Sequence, residues 1–239
     1  MPRDMGIAGS RIRKHRRIER KGLTMNLFSL NSPFARGVNK LVTMLYAGIL
    51  WFFCSIPVVT SGAATAALYE VLLKAVKNQE GYIGSSFFKA FRENLKQGIQ
   101  AGVPLLLAEI VFAVNVFYYG VLGGEDFRVQ AVIFMILFLL VLTVSSYVFA
   151  VMAKFENTVS GHFRMACVLM VRCPGWSLAI LVIQVLTLFL IWFCVYFPLL
   201  FIMGISGYMQ AAVFDHIFQG LIDRGLIEEM TEELTEEDK

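Results

Sequence analysis

The stretch Gly175–Phe214 runs for 40 residues without a charged side chain. A helix needs only about 20 apolar residues to cross roughly 30 Å of hydrocarbon. This run is therefore expected to hold two crossings, folded back at a corner near Pro198 in Tyr196-Phe197-Pro198. Three further runs have bilayer length. Val38–Val59 carries Lys40 as its one charge, Ile99–Leu122 carries Glu109, and Val129–Ala153 carries none. The chain is 57% hydrophobic and 16% charged, against about 25% charged for an average soluble domain. The expected class is all-α: a polytopic, integral membrane helical bundle.

A weaker segment, Ser61–Lys77, decides the number of crossings. It is short, and Glu70 and Lys74 stand four apart on it, an i,i+4 helical pair. By itself it reads equally well as an amphipathic helix lying in the interface. Lysines and arginines concentrate on cytoplasmic loops. Arg36 and Lys40 precede the first run, while Lys74, Lys77, Lys89, Arg92 and Lys96 follow the weak one. Keeping both groups inside requires two crossings between them, so Ser61–Lys77 is expected to return through the bilayer after a hairpin turn at Pro57–Gly62. The loop Gly123–Arg128 then lies outside and Lys154–Pro174 inside. Six crossings in three hairpins result, with five as the alternative and both termini cytoplasmic.

Each hairpin is preceded by an amphipathic stretch: Ser32–Lys40, Gly81–Gln97 and Glu156–Cys173. In the middle one Phe87, Phe88, Phe91 and Leu95 interleave with Lys89, Arg92 and Lys96, as an interfacial helix requires. These cations, with Arg164 and Arg172, are candidates for contact with lipid head groups, and positive-inside anchoring explains them equally well.

The net charge of +3 hides a segregation. Residues 1–24 carry eight Lys/Arg against Asp4 and Glu19; residues 219–239 carry eight acids against Arg224 and Lys239. The domain reading is a basic arm over 1–24, a membrane domain over 25–218 and an acidic cytoplasmic tail over 219–239. Met25 opens MNLFSLNSPF like an ordinary start, so the arm reads as an upstream extension. Nothing in this charge pattern calls for nucleic acid. Cys54, Cys167, Cys173 and Cys194 form no CxxC pair, and three sit in or beside apolar runs, where cysteine behaves as a small hydrophobe. His162, Cys167, Asp215 and His216 match no standard metal spacing. GxSxG, HExxH, P-loop and GxGxxG patterns do not occur. The expectation is a non-enzymatic protein without metal or cofactor, whose one definite partner is the bilayer.

Glu109 is the residue that most invites a function. It lies ten residues into its run, at a depth where an ionised carboxylate costs several kcal/mol. With Asn115 and Gln184 it forms the candidate intramembrane polar site. A coupling carboxylate should face a polar cavity with Asn115 or Gln184. A structural one should sit in a closed helix contact with one hydrogen-bond partner. Pro57 and Gly62-Ala63-Ala64 read structurally, as small residues that let helices approach. Pro104 and Pro198 do not make the matched pair of interrupted helices typical of transporters.

Several pieces of this sequence resemble the YesL-like bacterial membrane proteins, domain of unknown function 624. They are Asn31-Ser32-Pro33, Leu50-Trp51-Phe52, and Ile56-Pro57-Val58-Val59-Thr60 running into Gly62–Tyr69. Glu80-Gly81-Tyr82 and the Phe/Lys/Arg helix through Gln97 continue the pattern, and Phe155-Glu156-Asn157-Thr158 and Pro174 follow later. The resemblance spans about residues 25–220 and is strongest over 31–98. It implies an uncharacterised protein of the bacterial cytoplasmic membrane, a non-enzymatic accessory of carbohydrate uptake with sugar-importer (ABC) components as partners. It carries no catalytic residues over. The alternative reading is a small secondary transporter or permease subunit with Glu109 in the pathway.

Overall fold

The computed structural model describes residues 33–77, 82–193 and 199–223. The basic arm, the corner at Pro198 and the tail beyond Asp223 fall outside them. The chain divides into two compact units, Met1–Val42 and Thr43–Lys239. The described part of the first is the opening of helix α1, Pro33–Ser55; the rest of α1 and every later helix belong to the second.

Eight α-helices are described. After α1, a 3₁₀ turn at Val58–Thr60 leads into α2, Ser61–Val76. Helix α3, Ile83–Glu93, meets α4, Leu95–Phe117, at Asn94. A π turn, Tyr118–Leu122, and a 3₁₀ turn, Glu125–Phe127, join α4 to α5, Arg128–Met152. Then come α6, Val159–Arg172; α7, Pro174–Phe193; and α8, Leu199–Ile222. Among the described residues no strand occurs, and the fold is a helical membrane bundle.

Among the described residues five helical segments are long and apolar enough to cross a bilayer: Gly37–Ser55, Val58–Val76, Leu95–Leu122, Arg128–Met152 and Pro174–Ile191. The weak segment is among them. The sixteen residues of α2 rise only about 24 Å, and the 3₁₀ turn ahead of it brings the total near the 30 Å of the hydrocarbon. The sixth expected crossing, α8, has the length at 24 residues and is not among these five. Gln210, Asp215, His216 and Gln219 lie along it, and Gln210 and Asp215 are buried against other helices.

Two sequence readings need correction. Gly62 is not part of the hairpin turn. Pro57 caps the 3₁₀ turn, and Thr60 closes it by donating its Oγ1 hydrogen to the carbonyls of Cys54 and Pro57 at 2.6 and 2.7 Å, so α2 is already helical at Ser61. The first amphipathic stretch, Ser32–Lys40, is not separate from its crossing, since α1 is continuous from Pro33. The other two stretches do form their own helices, α3 and α6.

Helix α2 is the centre of the bundle and packs against α3, α4, α5 and α8. Its small residues make this possible. A Cβ on Gly62 would strike the carbonyl oxygen of Gly98 and come within 2.9 Å of Gly102 Cα, and one on Gly98 would lie 2.6 Å from the Ala63 backbone. Backbone therefore meets backbone where α2 crosses α4, the close approach that small residues permit in membranes. Beyond the crossing the core fills with Leu68, Tyr69, Leu72, Tyr147, Phe214 and Phe218. Tyr69 and Tyr147 both meet the Phe214 ring edge-on, at centroid distances of 5.6 and 5.0 Å. At the far end of α4, Tyr119 stacks on Phe134 at 5.5 Å and fixes the α4–α5 hairpin.

Candidate functional site

Around the start of α2, where Gly62 meets Gly102, the helices do not close. Between them lies a half-open cavity of about 430 Å³ to which α1, α2, α4, α5, α7 and α8 all contribute. Glu109 on α4 lines it, and so does Gln184 on α7. Ser145 Oγ donates to Glu109 Oε1 at 2.6 Å.

A belt of hydrogen bonds runs round the wall. Gln184 Oε1 accepts from Thr143 at 3.1 Å, while Gln184 Nε2 donates to Ser146 Oγ at 2.8 Å and to the Leu142 carbonyl at 3.2 Å. Opposite, Tyr69 donates to Gln210 Oε1 at 2.6 Å, and Gln210 Nε2 donates to Ser206 Oγ at 3.2 Å. Ser206 pairs with Thr187 at 2.8 Å. Near the turn, Trp51 Nε1 donates to Thr65 Oγ1 at 3.0 Å. Buried amides and hydroxyls in a membrane need such partners, because hydrocarbon offers none.

Of the three residues proposed from sequence, the structure thus brings two to one cavity. Asn115 is elsewhere, its Nδ2 donating to the Val111 carbonyl of its own helix at 2.8 Å. The separation explains this, since six residues are about one and two-thirds turns and point the side chains of 109 and 115 to different faces. The sequence reading missed Ser145, Ser146, Thr187, Ser206 and Gln210. A signal was available. Gln184 with Thr187, and Ser206 with Gln210, stand at helical i,i+3 and i,i+4 spacing, which sets each pair on one face.

At the opposite end of the bundle the polar residues make different contacts. Lys77 Nζ pairs with Asp215 Oδ1 at 3.2 Å, and Gln219 Nε2 donates to Asp215 Oδ2 at 2.8 Å. His216 stacks on Trp176 at 5.7 Å. His162 on α6 is fully buried; its Nε2 lies 3.3 Å from Gln97 Oε1 and its Nδ1 has no partner. Burial alone holds its imidazole below the ordinary histidine value. Gln97 also donates to the Asn157 carbonyl at 3.0 Å, and Thr158 caps α6 by accepting from Gly161 N at 3.2 Å. The Phe155–Thr158 motif is therefore the joint that seats α6 on α4. Lys89, Arg92, Lys96, Arg164 and Arg172 are all exposed, on α3, α4 and α6. Phe87 is buried and Phe88 faces out.

Residues 44–116 match a family model described as protein of unknown function, DUF624. The match covers most of the strongly resembling region and ends at the last turn of α4. No curated protein and no solved structure matches the chain. The matched segment supplies Trp51, Thr65, the Gly62–Gly102 contact and Glu109 to the cavity. Helices beyond it supply Ser145, Gln184 and Gln210.

Proposed function

We propose that this membrane protein is a small, non-enzymatic secondary transporter or permease subunit with Glu109 in the solute pathway. The observation that supports this reading is the cavity: a mid-helix carboxylate lines open volume among six helices, with hydrogen-bonding groups converging on it. Intramembrane carboxylates facing such spaces are typical of proton and ion pathways. The accessory reading asks for a carboxylate in a closed helix contact, and its carbohydrate context and importer partners rest on the family resemblance alone. In the proposed topology the chain lies in the bacterial cytoplasmic membrane. Both termini, α3, α6 and the Lys/Arg groups are inside, and α8 is the sixth crossing.

The test uses the full chain reconstituted in vesicles under an imposed pH gradient, with proton flux recorded as solutes of different charge are added. Solute-dependent proton flux is expected from wild type and is lost in Glu109→Gln, which keeps the shape of the side chain. The variant should still elute as one folded species. Equal flux in both proteins, or no coupled flux with any solute, overturns the reading. Impermeant thiol labelling of cysteines placed at 82–96 in intact cells should fail; labelling there overturns the topology.

A further inference from the structure

We propose that the cavity takes a small organic monocation, an ammonium group on an apolar body, with Glu109 as its counter-charge. This deepens the transporter reading and rests on it for the site's role. Among the described residues lining the cavity from all six helices, Glu109 is the one charged and titratable group. Tyr69 and Tyr147 lie on the core side, their hydroxyls bonded to Gln210 and Ser177. An anionic solute would meet a carboxylate with no cation to balance it.

A neutral polyol fits poorly for another reason. It needs many unfilled donors and acceptors, and most of the polar wall is already mutually bonded. Both ends of Gln184 and of Gln210 are engaged, as are Thr65, Thr187 and Ser206. Among the described lining residues Glu109 Oε2 and Ser61 Oγ retain capacity. That suits one N–H or N–CH₃ head group. It does not suit a hard metal ion, which wants about six oxygen ligands.

The remaining wall is apolar and aromatic. Leu105, Leu106, Leu142 and Met203 surround the space, and Trp51 and Phe149 contribute rings. Trp51 has its N–H committed to Thr65, which leaves its carbon surface for contact. Carboxylate plus aromatic surface is the chemistry that recognises ammonium ions, through charge and cation–π attraction. The volume of about 430 Å³ lies in the range of organic-ligand pockets. Because an uncompensated ionised carboxylate is costly at this depth, a proton on Glu109 substitutes for the cation. Arrival of the ammonium leaves carboxylate and cation paired and releases one proton.

Equilibrium dialysis of the full-length protein in neutral detergent tests this, with benzyltrimethylammonium, glucose and phenylacetate as probes. Saturable binding of benzyltrimethylammonium is expected, with release of about one proton per cation in weak buffer. Its affinity should fall about tenfold for each unit that the pH is lowered, across the range in which binding releases that proton. Glu109→Gln should weaken it at least tenfold. Should that variant not fold, the wild-type pH profile decides, and pH-independent binding overturns the proposal. So does binding of glucose or phenylacetate in place of the cation. Cation binding with no coupled flux in vesicles keeps this assignment and removes the carrier reading. Glu109-dependent flux of a neutral solute without cation binding does the reverse.

Discussion

Around the α1–α2 turn the long helices leave about 430 Å³ among them, whereas past the α2–α4 crossing α2, α5 and α8 close on one another. The two regions share helices and differ in side chains. Along α2 the cavity side offers Ser61, Gly62 and Thr65, and the closed side Leu68, Tyr69 and Leu72. Along α8 it offers Ser206 and Gln210, then Phe214 and Phe218. Small and hydroxylated residues leave volume and line it with polar groups; large apolar and aromatic residues fill the same interhelical space. The spans themselves differ in a second way. The least apolar of the five, Val58–Val76, is 56% buried, while the strongly apolar Leu95–Leu122 is 6% buried. Arg128–Met152, the most apolar of the five, is 28% buried, so hydropathy by itself does not rank the spans by burial.

The largest effect is expected at the α2–α4 crossing. Gly98→Leu forces a side chain into the Ala63 backbone, and neither helix can yield locally. A loss of more than about 3 kcal/mol is expected, with no monodisperse protein on size exclusion. Survival of Gly98→Leu with wild-type thermal stability would break the comparison at its root.

Next, the closed region should be far less tolerant than the cavity wall. Leu72→Ala, at a fully buried position, should cost about 2–4 kcal/mol. Leu106→Ala beside existing open volume should cost under about 1.5 kcal/mol. Thermal unfolding in detergent compares them, and equal losses would mean that the two regions are packed alike.

The third prediction concerns pH. Burial lowers the folded-state value of His162 below the unfolded value of about 6.5. As pH falls below about 6.5, the unfolded chain takes up the proton first. Stability should therefore drop by up to about 1.4 kcal/mol per pH unit until the folded value is reached. Unfolding temperatures recorded across mildly alkaline to mildly acidic buffers should show this slope, and His162→Asn should flatten it. An unchanged slope in the variant would locate the acid sensitivity elsewhere.

The smallest effect belongs to the exposed surface. Lys89 and Glu93 approach only to 3.9 Å with both side chains largely in solvent. Glu93→Gln should change stability by less than about 0.5 kcal/mol. A larger loss would show that α3 is held by charge rather than by Phe87 and Ala90.

By itself the sequence determined the class of protein, the five spans and the separate helices α3 and α6. Those properties are local, because a crossing needs a continuous run of apolar residues and an interfacial helix needs a face at helical spacing. Charge bias even recovered Val58–Val76, which hydropathy alone barely supports. Glu109 and Gln184 were legible as polar residues out of place in apolar runs. Their meeting was not legible, nor was Ser145 as the partner of Glu109, nor the turning away of Asn115. The cavity is made by residues from Trp51 to Gln210, drawn from six helices whose rotations about their own axes are set by packing. Only the tertiary structure decided that packing, through backbone contact at Gly62, Gly98 and Ala63. Close approach there orients each helix, and that orientation turns scattered serines, threonines and glutamines into one wall around a carboxylate.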